Sequence, residues 1–411
     1  MSSSPRGAVT GYRCATCGAR VPIDTLYPFT CPSAPAGDSH HVLHPVTDGP
    51  VPELIDDPNP FVTYGPSLAW WAFARDRGMS EEQCVALTRE IADGFHVTPC
   101  GPQELLSSAL GAQVWVKNET GNVGGSHKAR HLVTILLHLR AAEELGAASG
   151  PRAPLAIASC GNAAIAASTL AKAAGWPIDV FVPDTAADVV IETLESLGAH
   201  VDTCPRTPAG PKGDPAVLTF RQAVADGAIP FSVQGPENGL CLDGGRTIGW
   251  ELAQVLPSGT RVLIQVGGGA FAACVGWGLG SGFRLDTVQT EGGAPLQRAW
   301  QRVGDVATGE LGARWGEFMT AWDNPSSLAD GILDDETYDW QADIEVMRAC
   351  GGQPIVVSEQ AVEEAFELAA STGIPVSPTG SAALAALLPG DDGPVVTPGE
   401  PVAIVFSGVQ R

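Results

Sequence analysis

From residue 114 to residue 291, short unbroken apolar runs alternate with longer stretches whose apolar residues recur every three or four positions. The runs VWVK (114–117), LAIAS (155–159), IDVFVP (178–183), AHVDTC (199–204), RVLIQVG (261–267) and LDTVQTE (285–291) predict strands, with another near FSVQ (231–234). Between them, KARHLVTILLHLRAAEEL (128–145), NAAIAASTLAKAAG (162–175), ADVVIETLESLG (187–198), residues 218–227, RTIGWELAQVL (246–256) and a run from Ala270 predict helices. Strands without polar alternation are buried on both faces, and strands that alternate with helices form parallel sheets. The pattern predicts an α/β, doubly wound architecture. No repeat of solenoid period is present.

Outside this span the rhythm is weaker. Residues 51–115 predict a helical flank, in which SEEQCVALTREIADG (80–94) opens on Ser80 as a cap and ends at Gly94. Residues 311–340, rich in Trp and Asp, predict an insertion or lid. Residues 1–50 differ again: Cys14, Cys17, Cys31, His40, His41 and His44 sit among many prolines and glycines. YRCATCGARVP has the CxxCG form of a zinc knuckle, whose tight turn aims two thiolates at one point. Cys31 is the expected third zinc ligand. The fourth would be His40, His41, His44 or Asp38, and we take His41. The alternative is a ribbon that keeps its fold without metal.

Composition narrows the function. The chain has 411 residues, enough for two or three domains with a real core. A formal net charge of −23 repels nucleic acid and anionic lipid, so neither is an expected partner. An anionic ligand must then be held locally, by amide-rich loops and helix starts. No run of eighteen apolar residues predicts a membrane span, and MSSSPRGAVT lacks the apolar stretch of a secretory signal. The expected compartment is cytoplasmic, where cysteines are free thiols or metal ligands. Cys84, Cys241 and Cys274 stand singly in apolar runs and predict core positions.

In open α/β sheets ligands bind where strands end and helices begin, and three such junctions are chemically loaded. GNVGGSHK ends on Lys128 at a helix start, SCGN (159–162) precedes a helix, and VGGGA (266–270) precedes another. Three consecutive glycines let the backbone approach an anion. Lys128 does not belong to a P-loop, because Ala129 follows it where a hydroxyl would be needed. The remaining chemical role for this amine is that of a nucleophile forming a Schiff base, its pKa lowered by burial and the helix start. The bland alternative is a solvated helix-start lysine. Asn162 is either a helix cap or an amide donor to a ligand.

Together these loops resemble the fold-type II pyridoxal-phosphate enzymes: threonine synthase, the serine and threonine dehydratases, and the tryptophan synthase β-subunit. VWVKNETGNVGGSHKARH is similar to the family's lysine motif, SCGNAAIAAS to its asparagine loop, VGGGA to its phosphate loop, and FSGVQR (406–411) to the segment whose Ser meets the pyridine nitrogen. SPTGSAALAAL (377–387) resembles a dehydratase helix start, and CxxCG resembles threonine synthases.

The resemblance implies two open-sheet domains with pyridoxal 5'-phosphate in the cleft. Residues 51–130 and 245–411 would form the large domain, 131–244 the small one, and 1–50 a zinc-ribbon-like segment. Lys128 would bind the cofactor as an imine and shuttle the α-proton. Gly267, Gly268, Gly269 and Ala270 would hold the phosphate, with His127 touching it. Asn162 would meet the ring oxygen and Ser407 the ring nitrogen. Ser159, Cys160 and Gly161 would dock the substrate carboxylate, and Ser126 would lie near the leaving group. A neutral hydroxyl at the ring nitrogen favours elimination over transamination.

The implied activity is β-elimination, or β/γ-replacement, on an amino acid through an aminoacrylate-type intermediate. It would be threonine-synthase-like or dehydratase-like, and the enzyme a homodimer. Two positions depart from the family pattern: Ser377 stands where dehydratases have Glu, and Cys160 where many relatives have Ser or Thr.

Two other classes compete. Gly267, Gly269 and Ala272 satisfy GxGxx(G/A) with Glu291 at the next strand end, as in an NAD-dependent oxidoreductase. A non-catalytic metal-binding protein built on the N-terminal cysteines is the third.

Overall fold

The computed structural model describes residues 5–148, 150–206, 214–389 and 397–411. The Cys-rich segment folds as a three-stranded antiparallel sheet of β1 (Gly11–Cys14), β2 (Arg20–Pro22) and β3 (Leu43–Val46), in the order β2-β1-β3. Next come β4 (Cys100–Pro102) and β5 (Gln113–Asn118). The strands β6 (Leu155–Ala158), β7 (Ile178–Pro183), β8 (His200–Cys204) and β9 (Ile229–Pro230) form a parallel sheet, ordered β8-β7-β6-β9. Then β10 (Arg261–Gln265), β11 (Arg284–Thr290), β12 (Pro354–Val357) and β13 (Pro401–Phe406) join the earlier pair in a second sheet, ordered β12-β11-β10-β13-β5-β4. Only β4 runs antiparallel there, at the edge.

The unbroken apolar strands are buried as the pattern requires. Every residue of β10 is buried, and Val262, Leu263 and Ile264 are fully enclosed. Each such side chain contributes about 1.5–3 kcal/mol by leaving water. The helix Lys128–Glu144 buries Leu132, Val133, Ile135, Leu136 and Leu137, so it is apolar around most of its circumference and lies inside the protein. Ser80 and Gln83 form a reciprocal capping box at the start of Glu81–Ile91. Cys84, Cys241 and Cys274 are buried, as expected. Among the described residues, no helix is long and apolar enough to cross a membrane.

Several boundaries moved. The short strand near FSVQ lies just before it, at Ile229–Pro230. The helix placed at 218–227 begins at Pro215, where Asp214 accepts from the Ala216 N–H and proline suits the first helical turn. The flank 51–115 is not helical throughout, since β4 and the start of β5 belong to it. Its Gly-Pro ending hid a three-residue edge strand too short to show a period.

Candidate active site

The end of β5, the start of the Lys128 helix and the segment after β13 converge on one place. Ser126 and Gly408 form an isolated antiparallel bridge, and the His127 N–H donates to the Ser407 carbonyl at 2.9 Å. A Cβ on Gly408 would stand 2.7 Å from Asn162 Nδ2 and 3.5 Å from Ser126 Cβ, so only glycine lets the three motifs meet. Gly124, held at φ 66°, is equally tight against Ala166 of the Asn162 helix. Asn162 is the first helical residue and Gly161 is the cap, so its side chain does not close the helix end. Instead its Oδ1 accepts from Arg411 Nε at 3.2 Å, while Arg411 Nη2 donates to the Gly124 carbonyl at 2.6 Å.

Ser407 is buried and its Oγ accepts from Gln265 Nε2 at 2.7 Å. The same amide nitrogen donates to the Gly380 carbonyl, which fixes the orientation of the Gln265 side chain. The Ser407 proton is therefore free to be donated onward. Ser126 Oγ and His127 Nδ1 are also buried without a partner. His127 stacks against Phe271 in the first turn of helix Ala270–Leu279, with centroids 4.0 Å apart. Burial, then Lys128 and His131, push its pKa well below the ordinary value, so it is neutral.

Lys128 is half-buried and makes no side-chain hydrogen bond or ion pair among the described residues. Burial lowers its pKa, opposed by the nearby Asp334, Cys241 and Asp339. The lowered amine is the better nucleophile near neutrality.

The triple-glycine loop lies beside it. Gly269, at φ 98°, begins the helix Ala270–Leu279. Residues 332–343 press onto this loop. A Cβ on Gly267 would meet the Ile332 backbone at 2.9 Å and Asp334 Oδ2 at 2.5 Å, and one on Gly269 would meet Asp343 Oδ2 at 2.6 Å. The Gly268 N–H donates to the Asp334 carboxylate, and the Asp339 N–H donates to the Gly268 carbonyl at 2.8 Å. Burial raises Asp334 to about 6 and Asp339 to about 7, in each case opposed by Lys128. The Trp- and Asp-rich stretch thus covers the loop.

A family model described as pyridoxal-phosphate dependent enzyme matches residues 91–408, more than half of the chain. The chain belongs to that family. The serine dehydratase-like protein of Rattus norvegicus is 29% identical over 228 residues, which cover 54% of this chain and 59% of that protein. The chain thus spans about three fifths of the length of this curated relative. Among solved structures, maize serine racemase superposes with TM-score 0.63 at 17% identity, covering 80% of this chain and 93% of that one. The processed form of threonine deaminase isoform 2 from Solanum lycopersicum superposes with TM-score 0.61 at 18% identity, covering 81% of this chain and 91% of that one. The shared fold is that of the fold-type II pyridoxal-phosphate enzymes.

The residues of this pyridoxal-phosphate enzyme fit its cofactor. An unpartnered amine, a hydroxyl with a free proton and a glycine cradle ending on a helix start stand close together, as aldehyde, ring nitrogen and phosphate require. Lys128, Ser407 and Gly267 to Ala270 would hold the three ends, with Asn162 toward the ring. One feature opposes the phosphate: Asp334 already takes a cradle amide. The NAD alternative finds no support: Glu291 Oε1 is taken up by the Glu359 N–H at 2.9 Å, at the first residue of the helix Glu359–Ala370.

Ser159, Cys160 and Gly161 form the loop before the Asn162 helix, with the Gly161 N–H donating to Ser159 Oγ at 3.3 Å. Cys160 and Gly161 are exposed. Ser377, where the family pattern has Glu, caps its own short helix by accepting from the Gly380 N–H at 3.0 Å.

At the other end of the chain, Cys14, Cys17, Cys31 and His41 gather with all ligand atoms within 4.8 Å of one another. Cys17 and Cys31 sulfurs stand 3.7 Å apart. Tetrahedral zinc with Zn–S of about 2.3 Å asks for about 3.8 Å. Asp38 lies 3.6 Å from His41 Nε2 and leaves Nδ1, 3.5 Å from Cys14 Sγ, to face the thiols. His40 instead stacks on Trp315 and His44 packs edge-on against Trp277, so neither joins the cluster.

Sequence reasoning missed Gln265, Arg411 and Asp334. Gln265 was legible as a polar residue inside an apolar strand just before the glycines. The other two act through tertiary contacts that local pattern does not carry.

Proposed function

We propose that the chain catalyses dehydrative β-elimination on a small β-hydroxy amino acid such as serine or threonine: water is expelled first, one water is taken up again as the product imine hydrolyses, and ammonia and a 2-keto acid are released. The observation that carries this reading is Ser407, a neutral hydroxyl that accepts from Gln265 and keeps its own proton to donate, which we assign to the ring nitrogen. A hydroxyl there leaves the ring nitrogen unprotonated, which suits loss of a β-substituent better than transamination. The serine dehydratase-like relative and the threonine deaminase neighbour support the same class.

When bound, pyridoxal phosphate supplies the electron sink that acidifies the α-C–H. The Lys128 amine takes that proton, helped by the burial that lowers its pKa. The Ser159–Gly161 loop orients the substrate carboxylate through backbone N–H groups and the Ser159 hydroxyl. Ser126 Oγ, buried without a partner, receives the proton from Lys128 as it passes its own to the departing hydroxyl, which leaves as water. Arg411 steadies Asn162 at the ring edge.

The test is keto-acid and ammonia release from L-serine and L-threonine, with Lys128→Ala as the matched control. We expect release by the parent and a loss of at least a thousandfold in the variant, with its melting temperature preserved. Release from O-phospho or O-acetyl esters alone would reject the hydroxy-acid reading. Parent-like turnover by the variant would reject Lys128.

We further propose that Cys14, Cys17, Cys31 and His41 bind zinc, on the strength of their mutual distances. Zinc content of one per chain, lost in Cys14→Ser, is the expected result; a metal-free parent refutes it. A threonine-synthase-like replacement is the second reading, favoured only by this cysteine cluster. Residues 51–130 with 245–411, and residues 131–244, are proposed as the two domains. A cytoplasmic homodimer is the proposed form, to be checked by fractionation and sedimentation.

A further inference from the structure

A cavity of about 490 Å3, lined by none of the candidate site residues, lies between the Cys-rich sheet and the helices Ala270–Leu279 and Trp340–Cys350. One wall is a row across three strands: Arg20 on β2 pairs with Arg13 on β1, which pairs with His44 on β3. Directly opposed residues stand side by side on one face of a sheet, and like charges placed so repel. Neither arginine makes a hydrogen bond or an ion-pair contact with its side chain among the described residues. This occurs in a chain with 46 acidic residues against 23 Lys and Arg, where carboxylate partners are in twofold excess. Both arginines are exposed at the cavity wall, and Glu345 acts on Arg13 across it without touching it, so the pair is open to an external anion.

The other wall carries Gln341 and Glu345 from Trp340–Cys350, and the rings of Trp277 and Phe283. Gln341 is 6% exposed, and neither its amide nitrogen nor its amide oxygen has a partner. A buried amide with both ends unmet costs free energy unless something else meets them. The cavity therefore presents paired guanidinium groups, a carboxylate, an unsatisfied amide and aromatic faces. Its volume is in the range of small-molecule sites.

We propose that this cavity binds an aromatic α-amino acid as a zwitterion. Arg13 and Arg20 take its carboxylate, Glu345 and the Gln341 amide oxygen its ammonium group, and Trp277 and Phe283 flank its ring. Guanidinium groups match a carboxylate in geometry as well as charge, and aromatic rings pack favourably edge-on or offset. A simple inorganic anion would use the arginines and leave Glu345 and the rings without a role.

Amino acids also enter the catalytic cleft, so the experiment uses holoenzyme reduced with borohydride, which fixes the cofactor in place. Calorimetric titration compares L-phenylalanine, L-phenylalaninamide, 3-phenylpropionate and sodium sulfate. We expect L-phenylalanine to bind once per chain, and at least tenfold more weakly in Arg13→Gln and in Arg20→Gln. The amide, which lacks the carboxylate, should lose at least tenfold on the parent. Glu345→Gln should abolish the preference for L-phenylalanine over 3-phenylpropionate. No binding of L-phenylalanine, equal binding by the arginine variants, or binding of sulfate alone overturns the proposal. The ligand series on the parent decides the matter even if a variant fails to fold.

Discussion

Arg130 follows Lys128 by two residues and is fully buried. Its guanidinium donates to Glu119 at 2.9 and 3.0 Å and to Glu251 at 2.6 Å, with further bonds to Thr247 and Thr98. Lys117 pairs with Glu251 beside it. The four charged side chains sum to zero inside the protein. Arg130→Met leaves the two carboxylates against one ammonium, a net negative charge with no water to spread it. Breaking a buried pair in this way costs about 3–5 kcal/mol. That is a large part of the roughly 5–15 kcal/mol that holds a typical domain folded. We expect the melting midpoint of the holoenzyme to fall by on the order of 10 °C. Cofactor content should fall with it, because the network fixes the helix start that carries Lys128.

Two companions make this a test of electrostatics. Arg130→Met with Glu251→Gln restores neutrality and should recover about half of the loss. Arg221→Met breaks the surface pair with Glu237, where Arg221 is 44% exposed, and should cost less than about 1 kcal/mol. The reasoning fails if circular-dichroism melts place Arg130→Met within about 2 °C of the parent or level with Arg221→Met.

Other outcomes follow from the same geometry. Asp334→Asn should speed cofactor uptake by the apoprotein, since it removes the carboxylate from the Gly268 amide. Asp334 titrates near 6, so the gain over the parent should be larger at pH 8 than at pH 5; absorbance after mixing reads both, and equal rates at pH 8 would refute it. Gly269→Ala forces a side chain into φ 98° and against Asp343, a strain of about 1–3 kcal/mol. It should weaken cofactor binding by tenfold or more in a fluorescence titration, whereas Gly282→Ala, which meets open space, should not. Glu119 is raised by burial but more than compensated by Arg130 and Lys117, so its folded pKa lies below the ordinary 4.5. Its contribution is complete above that value and lost as pH falls through the folded pKa, so melting midpoints should drop on acidification below about 4.5. A midpoint that holds steady to pH 3 would contradict it.

The alternating strands and helices from 114 to 291 were legible because burial on both faces leaves a plain apolar signature. VWVK, IDVFVP and RVLIQ needed no neighbour to be recognised. The strands β12 and β13 were not assigned: β12 has only four residues between two helices, and β13, although central, lies more than a hundred residues along the chain from either neighbour in the sheet. Lys128, Ser407 and the three glycines lie near one another, though they come from widely separated stretches of the sequence. Their meeting depends on Gly408 and Gly124, whose importance lies in what a Cβ would strike. No local pattern announces that. Residues 311–340 read as an insertion or lid, yet burial against the glycine loop makes Asp334 and Asp339 within them chemically distinctive.

The placement of β13 has a consequence for how the protein is made. It is synthesised after both β5 and β10, yet it lies between them. Until residues 401–406 emerge from the ribosome, those two strands expose bare, apolar edges, and the nascent chain must wait with half a sheet on either side of a gap. Biogenesis of the candidate site is therefore a late event, sealed by a strand younger than both of its neighbours.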